Sequence, residues 1–240
     1  KKADAFVSAG SSGAILVGGQ VIVGRIRGVE RPPMAPLIPT AKGVSILVDS
    51  GANVDSRPSF LVQWAKMGSI YMENIMGIKN PKVAIVNVGL EEEKGNQLVK
   101  ETYPLLKACK DINFIGSIEA RNIPNGDADV IVCDAFVGNV ILKLYEGTAK
   151  MLLSKVKTTL MSSLKTKIGA LLIKNSLSDT MKSFDAKQYG GAPLIGLNGL
   201  VVKTMEVKNS LLQCVKFQRE KVNEKIIASI SAEKLDEAEA

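Results

Sequence analysis

The chain has 240 residues, and its 31 lysines and arginines outnumber 24 aspartates and glutamates, which gives a formal net charge of +7. A hydrophobic fraction of 46% suffices for a buried core and excludes an intrinsically disordered chain. Histidine is absent from the sequence, which excludes a Ser/His/Asp triad, a Cys/His pair and a histidine-ligated zinc site within this chain. Any catalysis must then use Lys, Asp, Glu, Asn, Ser, backbone amides or a partner chain. The three cysteines lie far apart without a CxxC pair, so we expect reduced, mostly buried thiols.

The first predicted unit is a strand, a glycine loop and a helix. Ala5–Val7 predicts a short strand, Ser8–Ala14 (SAGSSGA) a loop, and the apolar run Ile15–Ile26 a helix. No initiator methionine precedes this unit, and we expect that an N-terminal portion of the protein is absent from the sequence. The segment Arg31–Pro36 predicts a rigid connection that cannot be helical, because proline fixes φ and lacks an N–H donor.

The strand–helix alternation then continues along the chain. The further predicted strands are Val44–Val48, Val83–Val88, Ile112–Ile115, Val130–Cys133 and Gly199–Lys203, and the further predicted helices are Pro58–Met76, about Asn96–Cys109, a long helix after Asp134, and Val207–Ile230. Tyr189–Gly196 predicts a glycine-rich loop. Strands rich in β-branched residues that alternate with helices predict one α/β domain over residues 1–240, with a mainly parallel sheet covered on both faces. Ligands of such sheets bind outside the carboxyl ends of the strands.

Four predicted strands end in loops of small and polar residues. These loops are SAGSSGA (Ser8–Ala14), DSGANVD (Asp49–Asp55), NVGLEEEKGN (Asn87–Asn96) and DAFVGN (Asp134–Asn139). Glycine lets backbone N–H groups approach a ligand, and a following helix favours an anion. Because we expect all four loops at the same sheet edge, they predict a shared anion site. The first loop matches neither GxGxxG nor a Walker A loop, so a nucleotide is not the first choice of ligand.

The lysine and the aspartates of these loops each have two possible roles. Lys94 is either a cation that binds phosphate or a surface lysine beside three glutamates. Asp49, Asp55 and Asp134 either orient reaction partners or cap helices, and capping is the preferred interpretation of each one alone.

A basic segment follows the long predicted helix. Between Lys150 and Lys187 eight lysines stand against two aspartates, which favours an acidic protein, an anionic lipid surface or nucleic acid as a partner, or a solvated helix face. Within it, Leu164–Lys174 has an apolar centre between lysines. It is too short to cross a bilayer, and it suits either shallow insertion into a membrane or a dimer contact.

Seven segments of the chain, in this order and spacing, resemble the bacterial phosphate acyltransferases of phospholipid synthesis. The segments are SAGSSGA, RPPMAPLIPT, DSGANVD, NVGLEEEKGN, FIGSIEAR, DAFVGNVILKLYEG and YGGAPLIGL. The resemblance implies a three-layer αβα sandwich like that of isocitrate and isopropylmalate dehydrogenases and of phosphotransacetylase, in a homodimer. It also implies the reaction, in which orthophosphate attacks the thioester of a long-chain acyl group on acyl carrier protein and acyl phosphate results.

The resemblance further implies roles for individual residues. Lys94 and Asn96 correspond to catalytic positions. The expected residues of the phosphate and substrate pocket are Ser8, Gly10, Ser11, Ser12, Gly13, Asn53, Asn139 and Lys143. A projecting helical hairpin falls on residues 163–184, and it is expected to contact an anionic membrane. The expected membrane contacts are Ile168, Leu171, Leu172 and Ile173.

The chain also departs from the family pattern. Ser11-Ser12 replaces Asn-Thr, Val137 replaces Thr or Ser, and Met205-Glu206-Val207 replaces a His-Gly-Ser segment. Two alternatives therefore stay open, a coenzyme A-dependent phosphotransacylase and a non-catalytic module that binds membrane or carrier protein. We expect a cytoplasmic protein, peripherally associated with the membrane, that needs no metal ion, no cofactor and no nucleic acid.

Overall fold

The computed structural model of the protein describes residues 3–183 and 186–239. Eight strands among these residues form two sheets. The strands are β1 (Ala5–Ser8), β2 (Leu37–Thr40), β3 (Gly43–Val48), β4 (Lys82–Val86), β5 (Asn113–Ile118), β6 (Val130–Val132), β7 (Ala192–Leu194) and β8 (Leu200–Lys203). The larger sheet has the order β2-β3-β6-β4-β5, and the smaller has the order β1-β8-β7. Only β2 and β7, each at a sheet edge, pair antiparallel, so the prediction of an α/β fold with mainly parallel pairing is confirmed.

Eight α-helices connect or flank the strands in the described part of the chain. They are α1 (Ser12–Gly18), α2 (Pro58–Tyr71), α3 (Gln97–Ala108), α4 (Ala135–Leu160), α5 (Leu164–Leu172), α6 (Lys174–Ser183), α7 (Val207–Arg219) and α8 (Val222–Glu239). Two of them continue into a π-helical turn, α1 through Gly19–Val23 and α2 through Met72–Met76. Glycine at 24 and 77, each with positive φ, ends these turns.

Helix α2 occupies the centre of the molecule. Trp64 and Tyr71 are fully buried in a cluster that joins the larger sheet, β8, α7 and α8. A Cβ at Gly68 would lie 2.7 Å from a methyl group of Val130, so glycine lets the helix cross β6 closely. Burial of each such large apolar side chain contributes about 1.5–3 kcal/mol.

The opposite face of the larger sheet packs against the start of α4. Leu47, Ala84 and Ile131 form a second cluster on this face, to which Ile141 and Leu142 of α4 add partly buried contacts. Since α2 and α3 cover the first face, the larger sheet lies between two helical layers. This is the predicted three-layer arrangement.

Beyond this contact α4 extends away from the sheet. Only Ala135 and Gly138 of its 26 residues are buried. Ser163 then caps α5 in a reciprocal pair with Thr166, and α5 contacts α4. The segment 163–184 is helical as far as Ser183, while Phe184 lies outside the described residues. Its assignment as an insertion into a single domain stays a prediction.

The connection Arg31–Pro36 is non-helical as predicted, and the edge strand β2, which contains Pro39, follows it without having been predicted. Two local expectations were wrong. The predicted glycine-rich loop Tyr189–Gly196 contains the edge strand β7, where Pro193 is tolerated. The single closing helix is α7 and α8, separated by Lys221 with φ of 51°. The break turns α8 so that Val222 and Ile226 are fully buried.

Candidate functional site

The loop after β1 is ordered by its own serines. The Ser11 hydroxyl accepts the N–H of Ala14 and caps α1, and the Ser8 hydroxyl accepts the N–H of Gly10 at 3.1 Å. Thr204 donates its N–H to the carbonyl of Ser8, which fixes the loop beside the end of β8. The loop surface, including Gly10 and Ser11, is exposed. A Cβ at Gly13 would meet open space. The loop therefore presents hydroxyl and amide groups to solvent.

Asp49 organises the loop after β3. Its fully buried carboxylate accepts backbone N–H groups of Met34 (3.0 Å), Gly51 (3.1 Å), Ala52 (3.1 Å) and Asn53 (2.8 Å). The Asn53 side chain donates to the same carboxylate at 2.8 Å and to the carbonyl of Pro32 at 3.1 Å. Burial raises the pKa of Asp49, while these hydrogen bonds oppose the rise. Both Asp49 and the amide group of Asn53 thus hold the loop in shape.

The loop before α4 presses against the Asp49 loop. Asp134 caps α4 by accepting the N–H of Val137 at 3.0 Å, as the capping interpretation predicted. Ala135 donates its N–H to the carbonyl of Asn53 at 3.1 Å. Asn139 follows on the exposed side, and its Oδ1 lies 4.0 Å from the place of a Cβ on Gly51. Two predicted site residues, Asn53 on the loop after β3 and Asn139 near the start of α4, thus lie on segments in direct contact.

Asn87 organises the loop that carries Lys94. Its buried side chain donates to the carbonyl of Lys94 and to the hydroxyl of Ser117, each at 3.1 Å. The Lys94 ammonium pairs with Glu91 at 2.9 Å, and about half of its side chain (51%) is exposed. This pairing lowers the pKa of the Glu91 carboxyl. Asn96 caps α3 by accepting the N–H of Val99.

From the sequence, Asn87 was expected at the end of a strand and at the start of a ligand loop, and the role of its side chain was missed. The available signal was an asparagine at a strand end, seven residues before a lysine that is followed by glycine. Because the side chain is buried, its two donated hydrogen bonds fix the path of the loop.

The structure brings three of the four loops to one edge and leaves the fourth apart. The loops after β3, β4 and β6 follow neighbouring strands of the larger sheet. The loop after β1 belongs to the smaller sheet, so the expectation of four loops at one sheet edge was wrong. No hydrogen bond or ion pair among the described residues joins it to the other three. The link is apolar, since Ala52 packs against the cluster that contains Ile15.

Lys143 lies one helical turn after Asn139 on α4. Its ammonium pairs with Glu146 at 3.1 Å, and its side chain is largely exposed. Residues four apart lie on the same helix face, so Asn139 and Lys143 point to the same side of α4.

A cleft of about 1070 Å³ separates the π turn after α1 from the Asp49 loop. Arg25, Arg31 and Arg57 line it, together with Asn53 and the apolar Val21. A site that combines these three arginines was not predicted from the sequence, because they lie on three separate segments. The available indication was that these segments lie close in sequence to the predicted ligand loops and the helix after the first loop.

Neither a metal ion nor a cysteine nucleophile is suggested by the described residues. They contain no group of three or more Cys, Asp or Glu side chains placed to hold a metal ion. Cys133 and Cys214 are buried, and Cys109 is partly buried. Burial raises the pKa of Cys133 well above its usual range, so its nucleophilic thiolate is scarce near neutral pH.

The four residues predicted to contact a membrane lie at the end of α5. Leu171 and Leu172 are 72% and 82% exposed, and Ile168 and Ile173 are at least half exposed. Lys165, Lys167 and Lys174 are exposed around them. None of the helices in the described ranges combines the length and apolar character that crossing a membrane requires.

Among solved structures, the chain is similar to the EutD phosphotransacetylase from Staphylococcus aureus. The TM-score is 0.55 at 17% identity, over 93% of this chain and 63% of that one. A phosphotransacetylase from Streptococcus pyogenes gives the same TM-score and identity, over 92% of this chain and 64% of that one. The chain thus spans slightly less than two thirds of the length of these structures. By its fold, this is an α/β protein of phosphotransacetylase architecture.

Sequence comparison identifies the family. The model of the fatty acid synthesis protein family matches residues 1–228. A phosphate acyltransferase of Alkaliphilus oremlandii is 51% identical over 100% of this chain and 73% of its own length. One of Clostridioides difficile is 48% identical over 96% of this chain and 69% of its own length. The chain therefore belongs to the fatty acid synthesis protein family, among the phosphate acyltransferases, which confirms the resemblance.

Proposed function

We propose that the protein transfers a long-chain acyl group from the thioester of acyl carrier protein to orthophosphate, and that the acyl phosphate is used for phospholipid synthesis. The observation that carries the proposal is the 51% identity with a phosphate acyltransferase over the whole chain. The placement of three polar loops at one edge of a parallel sheet supports it, because ligands bind at that edge.

In the proposed reaction an oxygen of orthophosphate bonds to the carbonyl carbon of the thioester. The tetrahedral oxyanion then collapses, the carbon–sulfur bond breaks, and the carrier leaves as a thiol with the proton that phosphate gives up. Lys94 supplies the positive charge that this path requires. About half of its side chain is exposed, and its ammonium pairs with the exposed Glu91, so it can turn from that carboxylate to the bound phosphate. No histidine and no covalent acyl-enzyme are needed.

The remaining site residues position the reactants. Ser8, Gly10, Ser11, Ser12 and Gly13 offer hydroxyl and amide donors to an anion. Asn139 and Lys143 extend the polar surface along α4, beside the loop that Asn53 holds. Asn96 orients Lys94 by capping helix α3, which begins at the next residue, Gln97.

Phosphate-dependent thiol release tests this function. The wild-type protein should release thiol from acyl–acyl carrier protein only when orthophosphate is present. Lys94→Ala should lower kcat about 100- to 1,000-fold, the usual effect of losing an oxyanion partner. Lys100→Ala, an exposed lysine on α3, is the matched control and should leave kcat unchanged. Full turnover in Lys94→Ala would remove Lys94 from the mechanism.

Substrate comparison separates the alternatives. Faster turnover of acyl-coenzyme A than of the carrier-protein thioester would identify a coenzyme A-dependent phosphotransacylase. Binding of carrier protein or lipid without any phosphate-dependent thiol release would identify a non-catalytic module.

We also propose that the protein is cytoplasmic and lies peripherally on an anionic membrane through the end of α5. Exposed leucines flanked by exposed lysines suit shallow insertion, since the apolar side chains enter the lipid while the lysines face the headgroups. The same lysines suit the acidic carrier protein as a partner.

A homodimer is proposed through helix α4. Four apolar side chains are exposed on it at helical spacing, namely Leu144, Met151, Leu152 and Val156. A second copy of the helix would cover this stripe. Light scattering should report a dimer in the wild type and a monomer after Leu152→Lys, whereas a Lys150→Glu control should stay dimeric.

A further inference from the structure

The arginine-lined cleft has no assigned role in the proposed reaction. Its walls are the π turn after α1 and the loop after β3, and its volume is about 1070 Å³. Such a volume exceeds what a single orthophosphate needs. Lys94 is not among its lining residues, so the cleft is distinct from the position proposed for the reacting phosphate.

Three arginines from separate parts of the fold converge on this cleft. Arg25 follows the π turn, Arg31 begins the connection to β2, and Arg57 directly precedes α2. The carboxylates in the lining are Glu30 and Asp55, so cationic groups outnumber anionic ones. The planar guanidinium matches the geometry of phosphate oxygens through paired hydrogen bonds. The charge and geometry therefore favour a phosphate ester as the ligand.

Apolar side chains also line the cleft. Val21 is 77% and Val54 61% exposed, and Ala52 and Phe60 add to this apolar part of the lining. A ligand that fills the cleft must therefore carry an apolar section as well as a phosphate. Orthophosphate alone lacks that section, and a bare acyl chain lacks the phosphate.

The distance between the cleft and the loop Ser8–Ala14 also suits an extended ligand. Helix α1 and its π turn run from Ser12 to Val21, a path of about 13 Å at about 1.5 Å per residue. An extended arm anchored among the arginines can follow this path, with its other end at the loops where the proposed reaction occurs.

We propose that the cleft binds the 4′-phosphopantetheine arm of the thioester substrate, with the phosphate of the arm on Arg25, Arg31 and Arg57 and its dimethyl section against Val21 and Val54. The inference rests on the proposed function, because it assigns a second site to the same substrate. It makes the three arginines binding residues for the carrier end of the substrate, separate from the residues that hold orthophosphate.

Two thioesters that differ only in the phosphate test the proposal. The acyl thioester of 4′-phosphopantetheine should have a KM about tenfold or more below that of acyl-pantetheine, since only the phosphorylated arm can form charged hydrogen bonds with the arginines. Arg57→Gln and Arg31→Gln should each raise the KM of the phosphorylated substrate about tenfold and leave that of acyl-pantetheine unchanged. Arg27→Gln changes an exposed arginine that does not line the cleft, and should alter neither.

The outcomes separate this inference from the proposed function. If both thioesters lose affinity equally in Arg57→Gln, or if only the KM for orthophosphate rises, the phosphopantetheine assignment is wrong while the acyltransferase stands. If the wild type releases no thiol from either thioester in the presence of orthophosphate, the proposed function fails instead. Calorimetry on the wild type gives a readout independent of turnover and of mutant folding. Equal affinity for 4′-phosphopantetheine and pantetheine would overturn the assignment.

Discussion

A Cβ atom on Gly138 would lie 1.9 Å from the carbonyl oxygen of Asp49, so the first turn of α4 directly touches the end of β3. This contact presses two of the site loops together and leaves no room for any side chain at position 138. Because the clashing atom belongs to the backbone, it cannot move aside as a flexible side chain would.

We expect Gly138→Ala to lower the free energy of unfolding by about 1–3 kcal/mol or more, since the chain must shift around the added methyl group. Gly147→Ala on the same helix is the control. A Cβ there meets open space, and alanine should stabilise the helix by about 1 kcal/mol. Urea denaturation of both variants measures the difference. Equal effects in the two variants would contradict the close approach of position 138 to the carbonyl oxygen of Asp49.

The two roles of Asn96 can be separated by two substitutions. Asn96→Asp keeps an oxygen that accepts the N–H of Val99, so stability should change little, whereas Asn96→Ala should cost about 1 kcal/mol. If the amide N–H₂ contacts substrate, Asn96→Asp also lowers kcat while the protein stays stable. Thermal unfolding and thiol release, measured on the same samples, distinguish the roles. Full activity in Asn96→Asp would limit Asn96 to capping.

Because the hydroxyl of Tyr71 is buried, we expect the folded protein to lose stability at alkaline pH. Complete burial raises the pKa of its hydroxyl to about 12, against an ordinary value of 10.0. Between these values the unfolded chain releases the proton and the folded chain keeps it, so stability falls as pH rises. The difference of about two pKa units corresponds to about 2.7 kcal/mol.

The matched variant is Tyr71→Phe. It leaves the donating side chain of Gln213 without this acceptor and is less stable at neutral pH by about 1–3 kcal/mol. Its stability should then fall less steeply than the wild type between pH 10 and 12, as measured by urea denaturation at each pH. Parallel pH profiles would contradict the assignment.

Membrane binding should depend on the leucine pair of α5. Leu171→Asp together with Leu172→Asp should abolish sedimentation with vesicles of anionic phospholipid, because charged groups replace two highly exposed apolar side chains at the end of that helix. The control is the exposed pair on α7, Leu211→Asp with Leu212→Asp, which should sediment like the wild type. Unchanged sedimentation of the α5 variant would refute the membrane assignment.

The helices, strands and caps that depend on neighbouring residues could be predicted from the sequence. The helix expected over Pro58–Met76 is α2 with its π turn, and the strand expected over Val44–Val48 matches β3 apart from Gly43. Asp134 as a helix cap also followed from its position before an apolar helix. These features depend on neighbours within a few residues, which a single sequence displays directly.

Features that depend on distant residues could not be predicted in this way. Nothing in the residues of β1 distinguishes a strand of the smaller sheet from one of the larger, so the loop after β1 was expected at the wrong edge. One hydrogen bond of the Asn87 side chain goes to Ser117, thirty positions away. The convergence of Arg25, Arg31 and Arg57 depends on how three connections pack, which hydrophobic periodicity does not describe.

The pairing of β1 with β8 has a consequence for biosynthesis. Ala5 pairs with Leu200, so the smaller sheet joins opposite ends of the sequence, whereas the larger sheet lies entirely between Leu37 and Val132. Closing a long loop costs more entropy than closing a short one, and distant pairings form late. During synthesis every strand of the larger sheet is made before Thr204. The loop at Ser8–Ala14 gains its support from Thr204 only afterwards, so in a nascent chain the proposed phosphate pocket is completed after the larger sheet has been made.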